Sequence, residues 1–321
     1  MDDRPDGIDP EWMALDLVVG REHAGWRADR FVAARIPRLS RTRVQHILRR
    51  AAIDDSGRPI KPNRVLAEGE RITLFRPAPV EPDTPRSFGV VYEDEQILAV
   101  DKPAGLPVHP TARYHRNTLT ALLAERYGDK RPILAHRIDS ETSGIVLCGK
   151  TPEAERALKI LFLEREVSKT YLAVVRGVPT PPEGRIEVPL GLDRGSVVRV
   201  KMAYDPQGLP ALTEYRVLRA FGDMALVEAR PRTGRQHQIR AHLAHIGHPI
   251  VGDKIYADET IFVEYAASGM TPELAARAGF PRQALHAAAV SFVHPFEKRP
   301  LTIESPLPAD ILGLVNGRTP T

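Results

Sequence analysis

Residues 136–148 read HRIDSETSGIVLC, a dense polar stretch followed directly by an apolar run. The run from Gly144 to Cys148 is short and uninterrupted, which is typical of a buried strand. Polar residues just before such a strand lie in a loop, and loops of this kind position reactive side chains. Asp139 is a carboxylate of this loop and can act as a nucleophile or a base, although an Asp-Ser pair is also typical of a turn cap.

A mixed pattern of helices and strands surrounds this segment. After Cys148, Thr151 is an N-cap candidate, Pro152 stands in the first turn, and apolar residues recur at helical spacing up to Phe162. A further helix is predicted over 118–127, and strands are predicted at 90–92, 97–100, 170–175, 212–218 and 224–227. We therefore predict an α+β fold: a main domain with a mixed, mostly antiparallel sheet flanked by helices, and a small N-terminal α/β module.

Positive charge is concentrated in that N-terminal module. The whole chain has 45 Lys and Arg against 41 Asp and Glu, a net charge of +4. Between Arg30 and Arg76, twelve basic residues stand against four acidic ones, so this stretch of the module carries a local charge of +8. Ser40 predicts the start of a helix over 41–50 that is apolar on one side and rich in arginine elsewhere. Such a module suits nucleic acid, and a solvated arginine face without a ligand is the alternative.

Prolines 77, 79, 82 and 85 predict a semi-rigid spacer after this module. We predict a flexible tail over 1–15, the module over 16–76, a proline-rich linker over 77–87 and the main domain over 88–321. No apolar run approaches the roughly 18 residues of a membrane span, and the acidic start lacks the apolar core of a secretory signal. The prediction is a cytoplasmic protein that does not bind membranes. The single cysteine, Cys148, excludes an internal disulfide framework, and its thiol is expected to stay protonated in its apolar strand.

A second polar segment reads RPRTGRQHQIRAHL over residues 230–243. Its helical part buries Ile239 and turns Arg240 to a neighbouring face, where the guanidinium can keep a distant carboxylate ionised or lie unpaired on the surface. Histidines 237, 242, 245 and 248 do not share one helix face, and the spacing of zinc proteases is absent, so no metal site is predicted. Serine-hydrolase, dinucleotide and P-loop motifs are also absent.

Taken together, these segments resemble the RluA-type pseudouridine synthases. Residues 136–144 are similar to the family's His-Arg-Leu-Asp-x-x-Thr-Ser-Gly loop, with Ile138 in place of leucine. The family's Lys-x-Tyr-x-Ala strand is matched at 169–173, and its Arg-Thr-Gly-Arg-x-His-Gln-Ile-Arg-x-His stretch at 232–242, followed by Gly252-Asp253. The opening motif resembles residues 101–110. The similarity spans residues 88–305, and residues 27–75 resemble, more loosely, the S-four RNA-binding domain.

The resemblance implies an isomerase that converts uridine in structured RNA to pseudouridine without a cofactor or a metal. It implies Asp139 as the catalytic carboxylate, Arg240 as its ion partner, and Tyr171 as the residue that stacks on uracil and handles a proton. Whether Asp139 attacks the ribose or removes a proton beside it stays open. Arg137 and Ile239 are implied to bind substrate, with Arg137 filling the place of the extruded base.

In the N-terminal module we predict that Arg38, Arg41, Arg43 and Arg49 contact RNA phosphates. Large-subunit ribosomal RNA is the expected partner, transfer RNA is the alternative, and the chain is expected to act as a monomer. A non-catalytic RNA-binding factor of ribosome assembly is a competing interpretation. A glycosidase would need two acids that flank the scissile bond, and Glu141 is the only acid close to Asp139 in its motif.

Overall fold

The structure, a computed structural model, describes residues 8–9, 12–37, 39–77, 81–111 and 114–317. The chain divides into two compact units, one up to residue 80 and one from residue 81 onward. None of the helices in these described ranges has the length and hydrophobicity needed to cross a bilayer.

The first unit packs two helices against an antiparallel sheet with the strand order β1-β3-β2. Its elements are β1 (Met13–Val18), α1 (Ala28–Arg35), α2 (Arg41–Arg50), β2 (Ala52–Asp54) and β3 (Arg71–Arg76). Phe31, Val44 and Leu48 are fully buried between the helices and the sheet. As predicted, Ser40 caps α2, and its Oγ accepts a hydrogen bond from the backbone N–H of Arg43 at 3.3 Å.

The tail predicted over residues 1–15 is too long. Strand β1 begins at Met13, which pairs with Arg76 of β3. Leu17 is the one residue of β1 that is buried, so the strand gives only a weak apolar pattern in the sequence. Its position depends on pairing with a strand more than fifty residues away, which local periodicity does not reveal.

The second unit is built around a large sheet. Its strands are β4 (Gly89–Glu93), β5 (Ile97–Lys102), β6 (Ile133–Leu134), β7 (Ser143–Gly149), β8 (Ser168–Arg176), β9 (Glu183–Glu187), β10 (Leu190–Leu192), β11 (Met202–Tyr204), β12 (Leu212–Phe221), β13 (Met224–Pro231), β14 (Leu285–Val293) and β15 (Pro300–Glu304). Its helices are α3 (Leu119–Tyr127), α4 (Pro152–Leu163), α5 (Gln238–His245), α6 (Glu259–Ser268), α7 (Pro272–Ala278) and α8 (Ala309–Val315).

Ten of these strands form one sheet, in the order β4-β5-β7-β14-β8-β13-β12-β9, with β6 beside β7 and β15 beside β14. Among the described pairs of this sheet, β7 with β14 is the parallel one and the others are antiparallel. The predicted fold class, α+β with a mixed and mostly antiparallel sheet, is therefore confirmed.

Strand β7 is buried along its whole length near the middle of the sheet. Gly144 has a φ of +108°, and a Cβ at this position would lie 2.3 Å from the backbone oxygen of Ala287 on β14. Only glycine permits this close approach of the two strands. The approach fixes the loop that precedes β7 beside the start of β14. Burial in β7 also raises the pKa of the Cys148 thiol to about 12, so the thiol stays protonated.

Candidate active site

Asp139 lies in the loop between β6 and β7. The backbone fixes this loop: the oxygen of Asp139 accepts from the N–H of Thr142 at 3.1 Å, and that of Ser140 from the N–H of Gly105 at 2.8 Å. Ile138 anchors the loop in the apolar core. The Asp139 carboxylate accepts hydrogen bonds from Arg240 and Gln283. These partners come from distant parts of the chain, which favours a functional carboxylate over a turn cap.

Arg240 connects two carboxylates. Its Nη1 lies 2.8 Å from Oδ2 of Asp139. Its Nε and Nη2 donate to the two carboxylate oxygens of Asp253 at 2.6 and 2.9 Å. The Arg240 side chain is 7% exposed, that of Asp253 is fully buried, and that of Asp139 is 26% exposed. The bidentate pair with Asp253 holds the guanidinium in one orientation and leaves Nη1 for Asp139.

The first turn of α5 explains how Arg240 reaches this position. His237 adopts a left-handed conformation with φ of 54° just before the helix. The Gln238 side chain then accepts from the Thr233 hydroxyl at 2.6 Å and donates to the Leu212 backbone oxygen at 2.9 Å. These bonds tie the start of α5 to the sheet, so Arg240 in the same turn points toward the Asp139 loop.

The electrostatics of the site keep Asp139 charged at neutral pH. Burial opposes ionisation, but the Arg240 guanidinium outweighs it and holds the pKa of the Asp139 carboxyl below its ordinary value. Burial and the neighbouring Arg240 lower the pKa of His237 to about 4, so this imidazole is neutral. Burial, reinforced by the charge of Asp139, raises the pKa of the Tyr171 phenol, which therefore keeps its proton.

Further polar contacts stabilise the loop that carries Asp139. Gln283 donates to the Thr142 hydroxyl at 2.5 Å and reaches Asp139 Oδ2 at 3.5 Å. Glu141 pairs with buried Lys254 at 2.6 Å. Because Glu141 is held in this ion pair, Asp139 is the carboxylate of the loop that is left facing the cavity.

The cavity has a volume of about 660 Å³ and opens to solvent. This volume is typical of a small-molecule or nucleotide site. The five residues predicted for catalysis and substrate binding all line it: Arg137, Asp139, Tyr171, Ile239 and Arg240. Arg137 is exposed at the mouth, whereas Ile239 is buried in the wall. The arrangement offers one ionised carboxylate, the aromatic rings of Phe162 and Tyr171, and several cations to a ligand that enters from solvent.

Known proteins match this chain over most of its length. Residues 96–245 match the family model for RNA pseudouridylate synthase. A ribosomal large subunit pseudouridine synthase D from Zymomonas mobilis is 36% identical over 312 residues, which cover 92% of this chain and 94% of that protein. Its counterpart in Pseudomonas aeruginosa is 35% identical and covers 92% of this chain. The chain belongs to the RluA-type RNA pseudouridine synthases.

The synthase is thus an isomerase that converts RNA uridine to pseudouridine. A solved structure points to the same family: the human RNA pseudouridylate synthase domain-containing protein 4 has a TM-score of 0.55 and 28% identity, and the match covers 70% of this chain and 90% of that one. An RNA pseudouridine synthase of Bacillus subtilis is 32% identical over 94% of this chain.

His242 and His248, two of the four histidines considered for a metal site, have separate partners in the synthase. His242 is buried and bonds the Thr213 hydroxyl at 2.9 Å and the Val188 backbone oxygen at 3.0 Å. His248 bonds the backbone oxygen of Arg176 at 2.9 Å. Each imidazole therefore serves local structure, and the geometry does not gather these rings around a common point.

One other group of metal-type side chains lies together in the described ranges, namely Asp94, His294 and Glu297 outside the cavity. These three side chains already form hydrogen bonds or ion pairs with other protein groups. The Tyr92 hydroxyl donates to Asp94 at 2.5 Å, His294 Nδ1 accepts from the backbone N–H of Glu297 at 3.0 Å, and Arg299 pairs with the Glu297 carboxylate. This group fastens the turn after β4 to the turn after β14.

Three of the four arginines predicted to contact RNA lie within the described residues and differ in their ion pairs. Arg38 lies outside the described residues. Arg41 turns its guanidinium toward the buried carboxylate of Asp29, at 3.2 Å, and Arg27 binds the same carboxylate at 3.0 Å. Arg43 and Arg49 are exposed on α2. Arg41 is thus partly engaged in the fold of the first unit, whereas Arg43 and Arg49 extend into solvent.

Three residues of the site were not predicted: Asp253, Lys254 and Gln283. Asp253 stands in the Gly252-Asp253 pair noted in the sequence, and Gly252 has a φ of +76° with its virtual Cβ 2.0 Å from the Arg282 backbone oxygen. In the sequence, the Gly252-Asp253 pair that follows the family-like stretch was the available indication of Asp253. Gln283 carries no comparable indication because its role depends on a pairing across 144 residues.

Proposed function

We propose that this synthase converts uridines of large-subunit ribosomal RNA to pseudouridine with Asp139 as the acting carboxylate and with no cofactor. The observation that carries the proposal is the ionised Asp139, paired with Arg240 at 2.8 Å, on the wall of an open cavity. The choice of RNA is supported by relatives named ribosomal large subunit pseudouridine synthase D. Transfer RNA is the alternative target. A monomeric, cytoplasmic enzyme remains a prediction.

The reaction breaks the bond between ribose C1′ and uracil N1, and the electron pair of that bond goes to the base. The base then turns, C5 bonds to C1′, the proton on C5 is lost, and N1 gains a proton. The atoms of product and substrate are the same, so the step needs neither an oxidant nor a group donor. A carboxylate beside the ribose assists either by attacking C1′ or by removing the proton of the neighbouring carbon. Asp139 has the charge and exposure required for either role.

Tyr171 is proposed to stack on the uracil and to exchange a proton with it. Both the Tyr171 ring and Asp139 line the cavity, and the Tyr171 phenol keeps its proton at neutral pH. Arg137, at the mouth, is proposed to occupy the space left when the uridine leaves its stack, because a guanidinium both stacks and donates hydrogen bonds. Ile239 supplies an apolar contact on the cavity wall.

Replacing Tyr171 by phenylalanine tests this assignment. We expect turnover to fall by about 10²- to 10⁴-fold because the hydroxyl is lost, while KM changes by less than about threefold because the ring still stacks. Tyr171→Leu is the comparison, and it should also raise KM. Single-turnover conversion of an unmodified ribosomal RNA transcript measures both quantities. Turnover at the wild-type level in Tyr171→Phe would remove the hydroxyl from the mechanism.

The first unit is proposed to be an S-four-like RNA-binding domain that supplies affinity. The charge of +8 between Arg30 and Arg76 and the solvent-exposed Arg43 and Arg49 support this role. The domain would begin at β1 rather than at residue 16, and a linker would follow it up to residue 87.

A double substitution, Arg43→Gln with Arg49→Gln, tests this role. We expect RNA affinity to fall and the slope of log affinity against log salt to flatten by about 0.7 to 0.9 for each lost phosphate contact. The set of converted uridines should stay the same because phosphate contacts carry no sequence information. Arg185→Gln with Arg219→Gln, two exposed positions on β9 and β12, is the charge-matched control. A changed set of target uridines, or an unchanged salt slope, would contradict the role.

Mapping pseudouridine in RNA from cells that lack this gene tests the target. The proposal predicts missing pseudouridines in large-subunit ribosomal RNA. Their loss from transfer RNA alone would establish the alternative target, and no loss from any RNA would favour a non-catalytic factor of ribosome assembly.

A further inference from the structure

One wall of the catalytic cavity carries two cations that the proposed chemistry does not use. Helix α4 ends at Leu163, and the chain reverses through Arg165, with φ of +64°, into β8. Lys169 and Tyr171 are two residues apart on β8 and therefore point to the same face of the strand. Arg165, Lys169 and Tyr171 all line the cavity.

Lys169 is half-buried and lacks a counter-charge. Within the described parts of the chain its ammonium forms no ion pair and has no hydrogen-bond acceptor, and Arg165 forms no ion pair either. Burial and the neighbouring Arg165 both lower the pKa of Lys169. Holding a partly desolvated ammonium beside a second cation is unfavourable unless an anion joins them.

The other buried lysines of this unit are satisfied by the protein. Lys102 donates to three backbone oxygens, those of Pro103, Leu106 and Ser140, at 2.8 to 2.9 Å. Lys254 donates to the Glu141 carboxylate at 2.6 Å. Lys169 differs from both because its ammonium faces the cavity without a partner.

Other cations around the cavity are already engaged. Lys159 pairs with Glu155, Arg232 pairs with Glu214 at 2.7 Å, and Arg235 Nε donates to a backbone oxygen at 3.1 Å. Arg137 is exposed and already has a proposed place in the RNA stack. Arg165 and Lys169 are therefore the pair left for an anionic ligand.

We propose that Arg165 and Lys169 bind a backbone phosphate of the RNA strand next to the target uridine. This inference rests on the proposed function, since it takes RNA as the occupant of the cavity. A phosphodiester supplies the negative charge that the pair lacks, and its oxygens accept hydrogen bonds from a guanidinium and an ammonium together. The phosphate would fix the strand relative to Asp139 while the base lies against Tyr171.

Lys169→Met and Arg165→Met, made in the full-length chain, test the site. The first probe is a ten-nucleotide oligouridylate, whose equilibrium binding is measured over a series of salt concentrations. We expect each substitution to weaken binding at low salt about tenfold and to flatten the salt slope by about 0.7, the value for one phosphate contact on a single strand. Lys298→Met, an exposed position in the β14–β15 turn, should change neither quantity.

Kinetics on an unmodified ribosomal RNA transcript give the second readout. KM should rise about tenfold in Lys169→Met, and turnover should stay within about twofold, because the phosphate contact exists in both ground state and transition state. The unfolding midpoint should be unchanged or higher, since a desolvated ammonium without a partner is removed. Arg165 is exposed, so Arg165→Met should not affect folding and provides the same test independently.

An unchanged salt slope in both variants, or a fall in turnover at unchanged KM, would overturn the phosphate site. Binding to the oligouridylate does not require catalysis, so the slopes test the site even where the wild type forms no pseudouridine. Absence of pseudouridine with the wild type would contradict the proposed function instead.

Discussion

Replacing Asp139 by asparagine is expected to abolish detectable pseudouridine formation while RNA binding is retained. Turnover should fall by about 10²- to 10⁴-fold or more. Asparagine has nearly the same shape and its oxygen still accepts from Arg240 at the 2.8 Å contact, so the cavity should keep its form. The amide has no charge and is neither a nucleophile toward C1′ nor a base. Conversion and binding are measured on the same unmodified transcript.

Asp101→Asn is the matched control for this substitution. Asp101 is a half-buried carboxylate on β5 that accepts from the Ser305 hydroxyl at 2.9 Å and does not line the cavity. It should lower turnover by less than about twofold, because Asp101 does not line the cavity. Near-wild-type turnover in Asp139→Asn, or equal losses in both variants, would contradict the catalytic assignment.

Replacing Arg240 by methionine is expected to remove most of the activity and to destabilise the fold by about 3 to 5 kcal/mol, the cost of breaking a buried ion pair. Asp253 is fully buried, and its carboxylate would be left without the guanidinium that binds it at 2.6 and 2.9 Å. Chemical denaturation of the full-length protein measures the change in the free energy of unfolding.

Adding Asp253→Asn to Arg240→Met separates stability from catalysis. The double variant should recover much of the lost free energy of unfolding because no buried charge is left unpaired, yet it should not recover wild-type turnover. If the double variant is as unstable as Arg240→Met alone, the bidentate pair is not the source of the loss. If it recovers turnover, Arg240 is not the partner that Asp139 needs.

The residual activity of the double variant is expected to depend on pH differently from that of the wild type. In the wild type, Arg240 holds the pKa of Asp139 below its ordinary value, so the active, charged form persists into acid. Without the guanidinium, the effect of burial, which raises the pKa of the carboxyl, is opposed only by His237 and by the hydrogen bond from Gln283. The acidic limb of kcat/KM is therefore expected to move to higher pH in the variant. A limb that stays in place would show that Arg240 does not set the ionisation of Asp139.

Local sequence patterns predict the elements that are defined by contacts between residues close together in the sequence. The cap formed by Thr151, whose Oγ1 accepts from the Ala154 backbone N–H at 3.2 Å, and the apolar spacing of Leu158 and Leu161 define α4 without tertiary information. The same holds for Ser40 and α2. Strands β14 and β15 could not be predicted in this way, because they are stabilised by pairing across long sequence separations.

In the candidate site, too, contacts between residues far apart in the sequence were not predictable from local patterns. The contact between Arg240 and Asp139 joins residues 101 positions apart, and the prediction of this contact came from the family resemblance rather than from periodicity. Asp29 illustrates the opposite case. In the sequence it is one acid among many arginines, whereas in the fold it is buried and binds Arg27 and Arg41. Burial of a charged residue depends on packing that short-range patterns do not encode.

The most direct test of Asp139 as the acting carboxylate is a pseudouridine map of large-subunit ribosomal RNA from cells that lack this gene and carry either the wild-type or the Asp139→Asn chain. Specific pseudouridines are expected to disappear on deletion, to return with the wild-type chain and to stay absent with Asp139→Asn expressed at an equal level. Return of those pseudouridines with Asp139→Asn would contradict this role of Asp139.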